Sequence, residues 1–291
     1  MQKFFFILFK KISAIVSGRG LGKLPFASKL YQFLYKNFKP KGVVKVKAGG
    51  HTMFVDSHDS ALAPYLIMHG NFDPEETFVL EKFLKQGMTF VDVGANIGYF
   101  SLIAARLVGD GGKVFAFEPD EDNFKLLERN INKNNYKNII TIRKAVSDKT
   151  GTAKFYLDSE NLCAHSLNPK ENQRYVEIET ATLDEFLGND RKIDVVKIDV
   201  EGAERAVFDG MKEIITKNHK LAIITEFYPK AIENFGSSPK KYLESFVDVG
   251  FKLYRVKGKE FVNIDKSRID SLSRGEGMEK LINVVCLKNY N

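Results

Sequence analysis

The chain has 291 residues, 44% hydrophobic and 28% charged, which suits a globular protein and excludes a disordered chain, a collagen-like fibre and a disulfide scaffold. No uninterrupted apolar run reaches the ~18–20 residues of a membrane span, and Cys163 and Cys286 form no C-x-x-C or Cys/His cluster, which fits a reduced cytosolic setting without a zinc site. The net charge of +7 is uneven: residues 1–47 hold eleven basic residues and no acid, and the remainder holds 33 basic and 37 acidic residues.

The basic block is amphipathic. Phe5, Leu8, Phe9, Ile12, Ile15 and Val16 recur at helical spacing. After Pro25, Phe26, Leu30, Phe33, Leu34 and Phe38 alternate with Lys29, Lys36 and Lys39. This predicts a basic helical segment over 1–41 ahead of a main domain over 42–291. Residues 1–40 could lie on an anionic membrane surface or dock on the protein's own core with a solvated lysine face. Nucleic acid is the less favoured anionic partner. Lys10 and Lys11 cut the first apolar region to six residues, so no secretory signal is expected.

Residues 43–47 and 52–56 read as short strands around Gly49-Gly50, and Asp73-Pro74-Glu75-Glu76 opens a helix running to Phe83. An alternation follows. Strands are expected at 90–93, 113–117, 139–145, 194–199 and 221–227, with helices over 98–108, 120–134, 202–217 and 238–249. The strands are short apolar runs, as in a parallel sheet covered on both faces. Residues 251–256 and 281–288 suit an antiparallel hairpin at the sheet edge. Residues 152–157 and 175–182 suit an inserted antiparallel pair.

The first strand of the alternation runs into Asp92-Val93-Gly94-Ala95-Asn96-Ile97-Gly98. Gly94 and Gly98 allow a sharp turn into the next helix and a close ligand, and exposed N–H groups there would suit a cofactor carboxylate. Asn96 stands where the G-x-G-x-x-G dinucleotide pattern needs its middle glycine, which disfavours a nicotinamide oxidoreductase. Glu118 ends the next strand, in the position of an acid that holds ribose hydroxyls.

VDVGANIGYFSLIAA, AFEPD, KAVSDKTG, TLDEFL and KIDVEGAE, in this order, resemble the S-adenosylmethionine-dependent methyltransferases of the FkbM type over residues of about 70–255. The resemblance implies an α/β fold, the Rossmann-like class I methyltransferase sheet of seven strands, mostly parallel with an antiparallel terminal hairpin. It implies S-adenosyl-L-methionine as cofactor and methyl transfer to a hydroxyl, often on a glycan sugar. By position, Asp92, Gly94, Asn96 and Gly98 match the methionine-binding motif and Glu118 the ribose acid. Ala145, Val146 and Ser147 match the turn beside the adenine. Where the family often has Ser-Ser-Leu, this chain has Cys163-Ala164-His165-Ser166-Leu167, a departure at His165. The basic N-terminal segment lies outside the family pattern.

Two acids fall at strand ends: Asp199 after the fourth parallel strand and Glu226 at the end of the fifth. Glu201 and Glu204 follow Asp199. An alcohol must be activated by a base or a metal, so Asp199, Glu201, Glu226 and, as the one histidine considered, His165 are the catalytic candidates. Asp199 and Glu226 are also candidate ligands for Mg²⁺ or Mn²⁺. The expected function is O-methyl transfer to a sugar of a glycan or glycolipid, by a cytoplasmic protein peripheral to the inner membrane face. The rivals are a nucleic-acid methyltransferase using the basic arm and a non-catalytic cofactor-binding scaffold. No (Asp/Asn)-Pro-Pro-aromatic tetrad follows the fourth strand, which argues against methylation of base amino groups.

Overall fold

The computed structural model describes residues 5, 6, 9, 10, 13, 25–158, 161–162, 165–167, 174–188 and 191–290. Leu8, Ile12, Ile15, Val16, Cys163 and Ala164 lie outside the described residues, as does the side chain of Phe26. The chain forms two compact units, Met1–Phe72 and Asp73–Asn291. The boundary expected at 41/42 falls inside the first unit, because the strands after it pair with each other and not with the main sheet.

The first unit holds α1 (Pro25–Phe38), β1 (Val43–Ala48), β2 (His51–Asp56) and α2 (Leu62–Met68). β1 and β2 form an antiparallel hairpin across Gly49 and Gly50, both at positive φ, the conformation a two-residue turn needs to match strand twist. One face of α1 carries Tyr31, Tyr35 and Phe38. They meet Phe9, Phe6 and Phe5 with ring centroids 5.3, 6.4 and 6.0 Å apart, respectively.

The second unit runs α3 (Pro74–Phe83), β3 (Thr89–Val93), α4 (Tyr99–Val108), β4 (Lys113–Phe117), α5 (Glu121–Lys133), β5 (Ile139–Ile142), β6 (Ala145–Val146), β7 (Gly151–Tyr156), β8 (Tyr175–Ala181), α6 (Leu183–Leu187), β9 (Val195–Ile198), α7 (Glu204–Asp209), α8 (Lys212–Lys217), β10 (Leu221–Phe227), α9 (Pro229–Asn234), α10 (Pro239–Asp248), β11 (Lys252–Lys257), β12 (Glu260–Asn263), α11 (Lys266–Leu272) and β13 (Ile282–Lys288). The main sheet has the order β12-β11-β13-β10-β9-β3-β4-β5. β5, β4, β3, β9 and β10 are mutually parallel, and β13 runs antiparallel to both β10 and β11. The central strands are fully buried runs such as Val195–Ile198, covered by helices on both faces.

Four expectations need correction. The sheet has eight strands, because β12 adds to its edge. The antiparallel partner, β13, is inserted between β10 and β11 and is not the edge. The strand expected at 139–145 stops at Ile142, and Ala145–Val146 pair instead with Thr180–Ala181 in a separate sheet, β6-β8-β7. Arg143-Lys144 mark that departure, and Lys144 pairs with Glu179 on β8 at 2.8 Å. The helix expected over 202–217 is two helices, broken where Gly210 packs on the backbone oxygen of Ser147, with no room for a Cβ.

Candidate active site

The chain leaves β3 toward β4 on one side, and β9 lies on the other side of β3. The crevice at this switch point, beyond the carboxyl ends of the strands, is where open parallel sheets bind ligands. Two turns meet there. Gly94, at φ +83°, has no room for a Cβ because the backbone oxygen of Asp199 occupies that space. The Asp199 N–H in turn donates to Val93 O at 3.0 Å. The glycine turn and the first acid of the site are therefore in direct backbone contact.

The turn's own N–H groups are committed internally. Those of Gly94 and Ala95 donate to Phe117 O, that of Ile97 to Asn96 Oδ1 and that of Gly98 to Ala95 O. The Asn96 N–H donates to Glu118 Oε2 at 2.8 Å. This corrects the expectation of exposed N–H groups for a cofactor carboxylate: the turn is a rigid wall stitched to Glu118. Glu118 is buried, and its Oε1 accepts from the Asp120 N–H at 2.9 Å. Each carboxylate oxygen has capacity for a second hydrogen bond, so Glu118 retains acceptor sites for a vicinal diol. Burial, with the Asp120 charge, pushes its carboxyl up to about 8, against the pull of the two backbone donors.

Asp92 does not line the turn. It is 1% exposed, takes the Ser101 hydroxyl at 2.5 Å on Oδ2, and leaves Oδ1 without a hydrogen bond among the described residues. Its register partner on β9 is Lys197, a residue absent from the sequence-derived candidates. Lys197 is 2% exposed. Its Nζ donates to Asp199 Oδ2 at 2.8 Å, lies 3.7 Å from Glu76 Oε1 and sits over the Phe100 ring at 5.0 Å. Burial opposes its charge, and Asp199, Glu76 and Asp92 together more than reverse that, so its pKa is raised. Burial pushes Glu76 up to about 8, with Lys197 holding it down, and raises Asp92 against the same cation. The signal for Lys197 was visible: a lone cation inside Val195-Val196-Lys197-Ile198, two residues before Asp199 and so on the same strand face.

Asp199, Glu201 and Glu226 come together, each half-buried, with one carboxylate oxygen from each within 4.8 Å of the others. Glu201 and Gly202 are both at positive φ, a tight turn that brings the chain back from the end of β9. Behind them Glu204 Oε1 accepts the N–H groups of Gly202 and Val200 at 3.0 and 3.3 Å, so it braces this turn. Burial pushes Glu204 up to about 7. Glu226 is raised well above the usual carboxylate range, first by burial and then by the charges of Asp199, Glu201 and Glu204.

His165 is not part of the trio. Its Nδ1 accepts the Asp158 N–H at 2.9 Å and its Nε2 faces Asp120 Oδ2 at 3.9 Å. A neutral ring so held carries its proton on Nε2 and has no free lone pair for a base. Its neighbour Ser166 donates to Glu201 O at 2.9 Å, which ties this loop to the trio. Ala145 and Ser147 belong to the β6-β8-β7 sheet: Ala145 is buried and the Ser147 N–H donates to Ala181 O at 3.0 Å.

The strand order, the glycine turn at the switch point and the buried acid ending β4 are those of the class I methyltransferase fold. The family model described as "Methyltransferase FkbM domain" matches residues 92–253, and the chain belongs to that family. It is 33% identical over 122 residues to the hexuronic acid methyltransferase AglP of Haloferax volcanii. That match takes in 41% of this chain and 48% of the relative, so the chain spans about half the length of the curated relative it matches. Among solved structures, a SAM-dependent O-methyltransferase of Thermotoga maritima aligns with TM-score 0.43 and 15% identity over 89% of this chain and 82% of that one. A SAM-dependent methyltransferase of Aquifex aeolicus aligns with TM-score 0.42 and 17% identity over 74% and 89%, respectively.

The residues present fit S-adenosylmethionine. Glu118 offers acceptor capacity for the ribose diol, and the walled turn of Gly94–Gly98 faces the same crevice as Asp199. Among the described residues no helix is long and apolar enough to cross a membrane.

Proposed function

We propose that this methyltransferase transfers a methyl group to a hydroxyl on a sugar of a glycan or glycolipid. The observation that carries the reading is the carboxylate trio, with Glu226 raised by burial and by its acidic neighbours. A sugar hydroxyl is a poor nucleophile at neutral pH, and a carboxylate of raised pKa is a stronger proton acceptor than an ordinary one. The hexuronic acid methyltransferase relative supports a sugar acceptor.

When bound, S-adenosylmethionine supplies an electrophilic methyl on a good leaving group. Glu118 would hold the ribose, and the Gly94–Gly98 turn would line the cofactor's side of the crevice next to Asp199. Glu226 takes the proton from the acceptor hydroxyl. Burial and the charges of Asp199, Glu201 and Glu204 keep that proton affinity high. The three carboxylates of the trio are a hard-oxygen set that would hold Mg²⁺ or Mn²⁺; activity that disappears with EDTA and returns with either ion would assign them that role.

The test offers methyl glycosides of hexoses, deoxyhexoses and hexuronic acids, together with RNA and DNA, to the full chain with tritiated cofactor. Methyl ethers should form on a sugar, and Glu226→Gln should lower kcat by roughly 10²–10⁴-fold without weakening S-adenosylhomocysteine binding. Label in nucleic acid and none in any glycoside would overturn the reading.

The setting we assign is an anionic membrane surface. α1 has a second face opposite its aromatic contacts, with Phe33 61% and Leu30 44% exposed beside exposed Lys29 and Lys36. Lys45 and Lys47 are exposed on β1. Apolar side chains flanked by lysines suit an anionic interface, where each cation adds about 1 kcal/mol. The full chain should sediment with phosphatidylglycerol vesicles and not with phosphatidylcholine vesicles. Phe33→Glu should release it; unchanged sedimentation would refute this role.

A further inference from the structure

We propose that Tyr156 and Tyr175 form a stacking platform for the acceptor's pyranose ring, at the edge of the carboxylate trio. This rests on the sugar-acceptor reading above and adds the surface that would hold the ring.

The argument is one of register. Tyr156 on β7 lies directly opposite Tyr175 on β8. On its other side Tyr156 bridges Ser166, its N–H donating to Ser166 O at 2.8 Å and its O accepting the Ser166 N–H at 3.1 Å. Directly opposed residues of antiparallel strands project to the same face with Cβ atoms about 4.5–5.5 Å apart. Tyr175, Tyr156 and Ser166 therefore form one row on one face. The row does not end in solvent: Ser166 Oγ donates to the backbone oxygen of Glu201 at 2.9 Å. The two rings thus lie one and two strands away from Ser166, the residue that holds the Glu201 backbone.

Strand alternation separates this face from the one that packs. Phe155 points the other way, is buried and meets the His165 ring edge-on at 6.0 Å. On the tyrosine face Ser166 is buried at the inner end, and the two rings beyond it are more open. Tyr175 is 47% exposed and Tyr156 half-buried, with centroids 5.9 Å apart at 54°. Lys154 Nζ sits 4.4 Å from the Tyr175 ring centre and steadies it. Aromatic rings held beside a polar site fit a pyranose, which carries a patch of C–H bonds on its face and hydroxyls around its rim. Tyrosine supplies the apolar face, a polar tip and little rotamer entropy to lose. A base at the trio works only on a hydroxyl held within hydrogen-bond reach, and the row would hold the ring beside it.

The experiment measures methyl transfer by the full chain, with the best accepted methyl glycoside of the panel above, for wild type, Tyr156→Ala, Tyr175→Ala and Tyr156→Phe. S-adenosylhomocysteine affinity serves as the control for folding. Each alanine variant should raise the acceptor KM about tenfold, the equivalent of one lost stacking contact. The cofactor affinity should stay unchanged, and Tyr156→Phe should stay within about threefold of wild type. Tyr175 is exposed, so its variant keeps the test sound should Tyr156→Ala fail to fold. Wild-type transfer to a glycoside with no change of KM in Tyr175→Ala and in either Tyr156 variant would overturn the platform and leave the sugar reading standing. No transfer to any glycoside by wild type would overturn the sugar reading, and the platform with it.

Discussion

Replacing Lys197 by methionine keeps the length of the side chain and removes its charge. Nζ lies 2.8 Å from Asp199 Oδ2 and 3.7 Å from Glu76 Oε1. At an effective dielectric of ~20, these separations give roughly 6 and 4 kcal/mol of gross attraction. Desolvation of the buried ammonium takes back much of that. What remains when one partner of a buried ionic cluster is removed is about 3–5 kcal/mol of lost stability. At ~2–4 °C per kcal/mol, Tm should fall by about 10 °C at pH 8. The loss must depend on pH. Glu76, already pushed up to about 8, and Asp92 rise further once the cation is gone. A folded carboxyl of raised pKa holds a proton that the unfolded chain releases from about pH 4 upward. Stability contributed by that proton is present at low pH and lost as pH rises toward the folded pKa. Both folded proteins hold the Glu76 proton below about pH 8, so through this residue the deficit of the variant should be level at lower pH and widen as pH rises above about 8. Differential scanning fluorimetry of both proteins from pH 5 to 10 tests this. A deficit that stays level or narrows above pH 8 would show that Lys197 does not hold down the acids around it.

Two further outcomes follow from the crevice. Gly94→Ala and Gly87→Ala both place an alanine at a φ near +80°, which costs about 1–2 kcal/mol. Only Gly94 has no room for the new methyl, since nothing lies within 4 Å of a Cβ at Gly87. Gly94→Ala should lose at least ~2 kcal/mol more than Gly87→Ala, and equal denaturant midpoints would contradict the overlap with Asp199. S-adenosylhomocysteine should bind more tightly as pH rises toward about 8, because hydroxyl donors favour the ionised form of Glu118. Calorimetry in buffers of different ionisation enthalpy should show a proton released on binding in wild type and none in Glu118→Gln; equal proton release in both would remove Glu118 from the ribose role.

Much of this architecture is legible in the sequence because short buried strands and amphipathic helices leave different periods. The runs ending in Asp92-Val93-Gly94 and Phe117-Glu118-Pro119 announce strands whose ends carry the site. What escaped is long-range. Nothing local tells β13 to enter between β10 and β11, where Glu226 faces Asn283 in register. Ala145–Val146 read as a continuation of β5 because both fates demand the same apolar residues. The broken helix at Gly210 depends on the approach of Ser147, 63 positions earlier.

The acids show the same limit in chemical form. Asp92, Asp199 and Glu226 could each be picked out by their place at or near a strand end, but their division of labour could not. The structure sorts them through Lys197. Asp92 and Glu76 fall on the buried side of the lysine, where they compensate its charge. Glu201 and Glu226 fall on the open side. Asp199 belongs to both groups, with Oδ2 on Lys197 and a place in the trio. Burial and the charges of Asp199, Glu201 and Glu204 raise Glu226, and Lys197 pulls it the other way. A buried residue two positions inside the strand thereby moderates the proton affinity at the crevice.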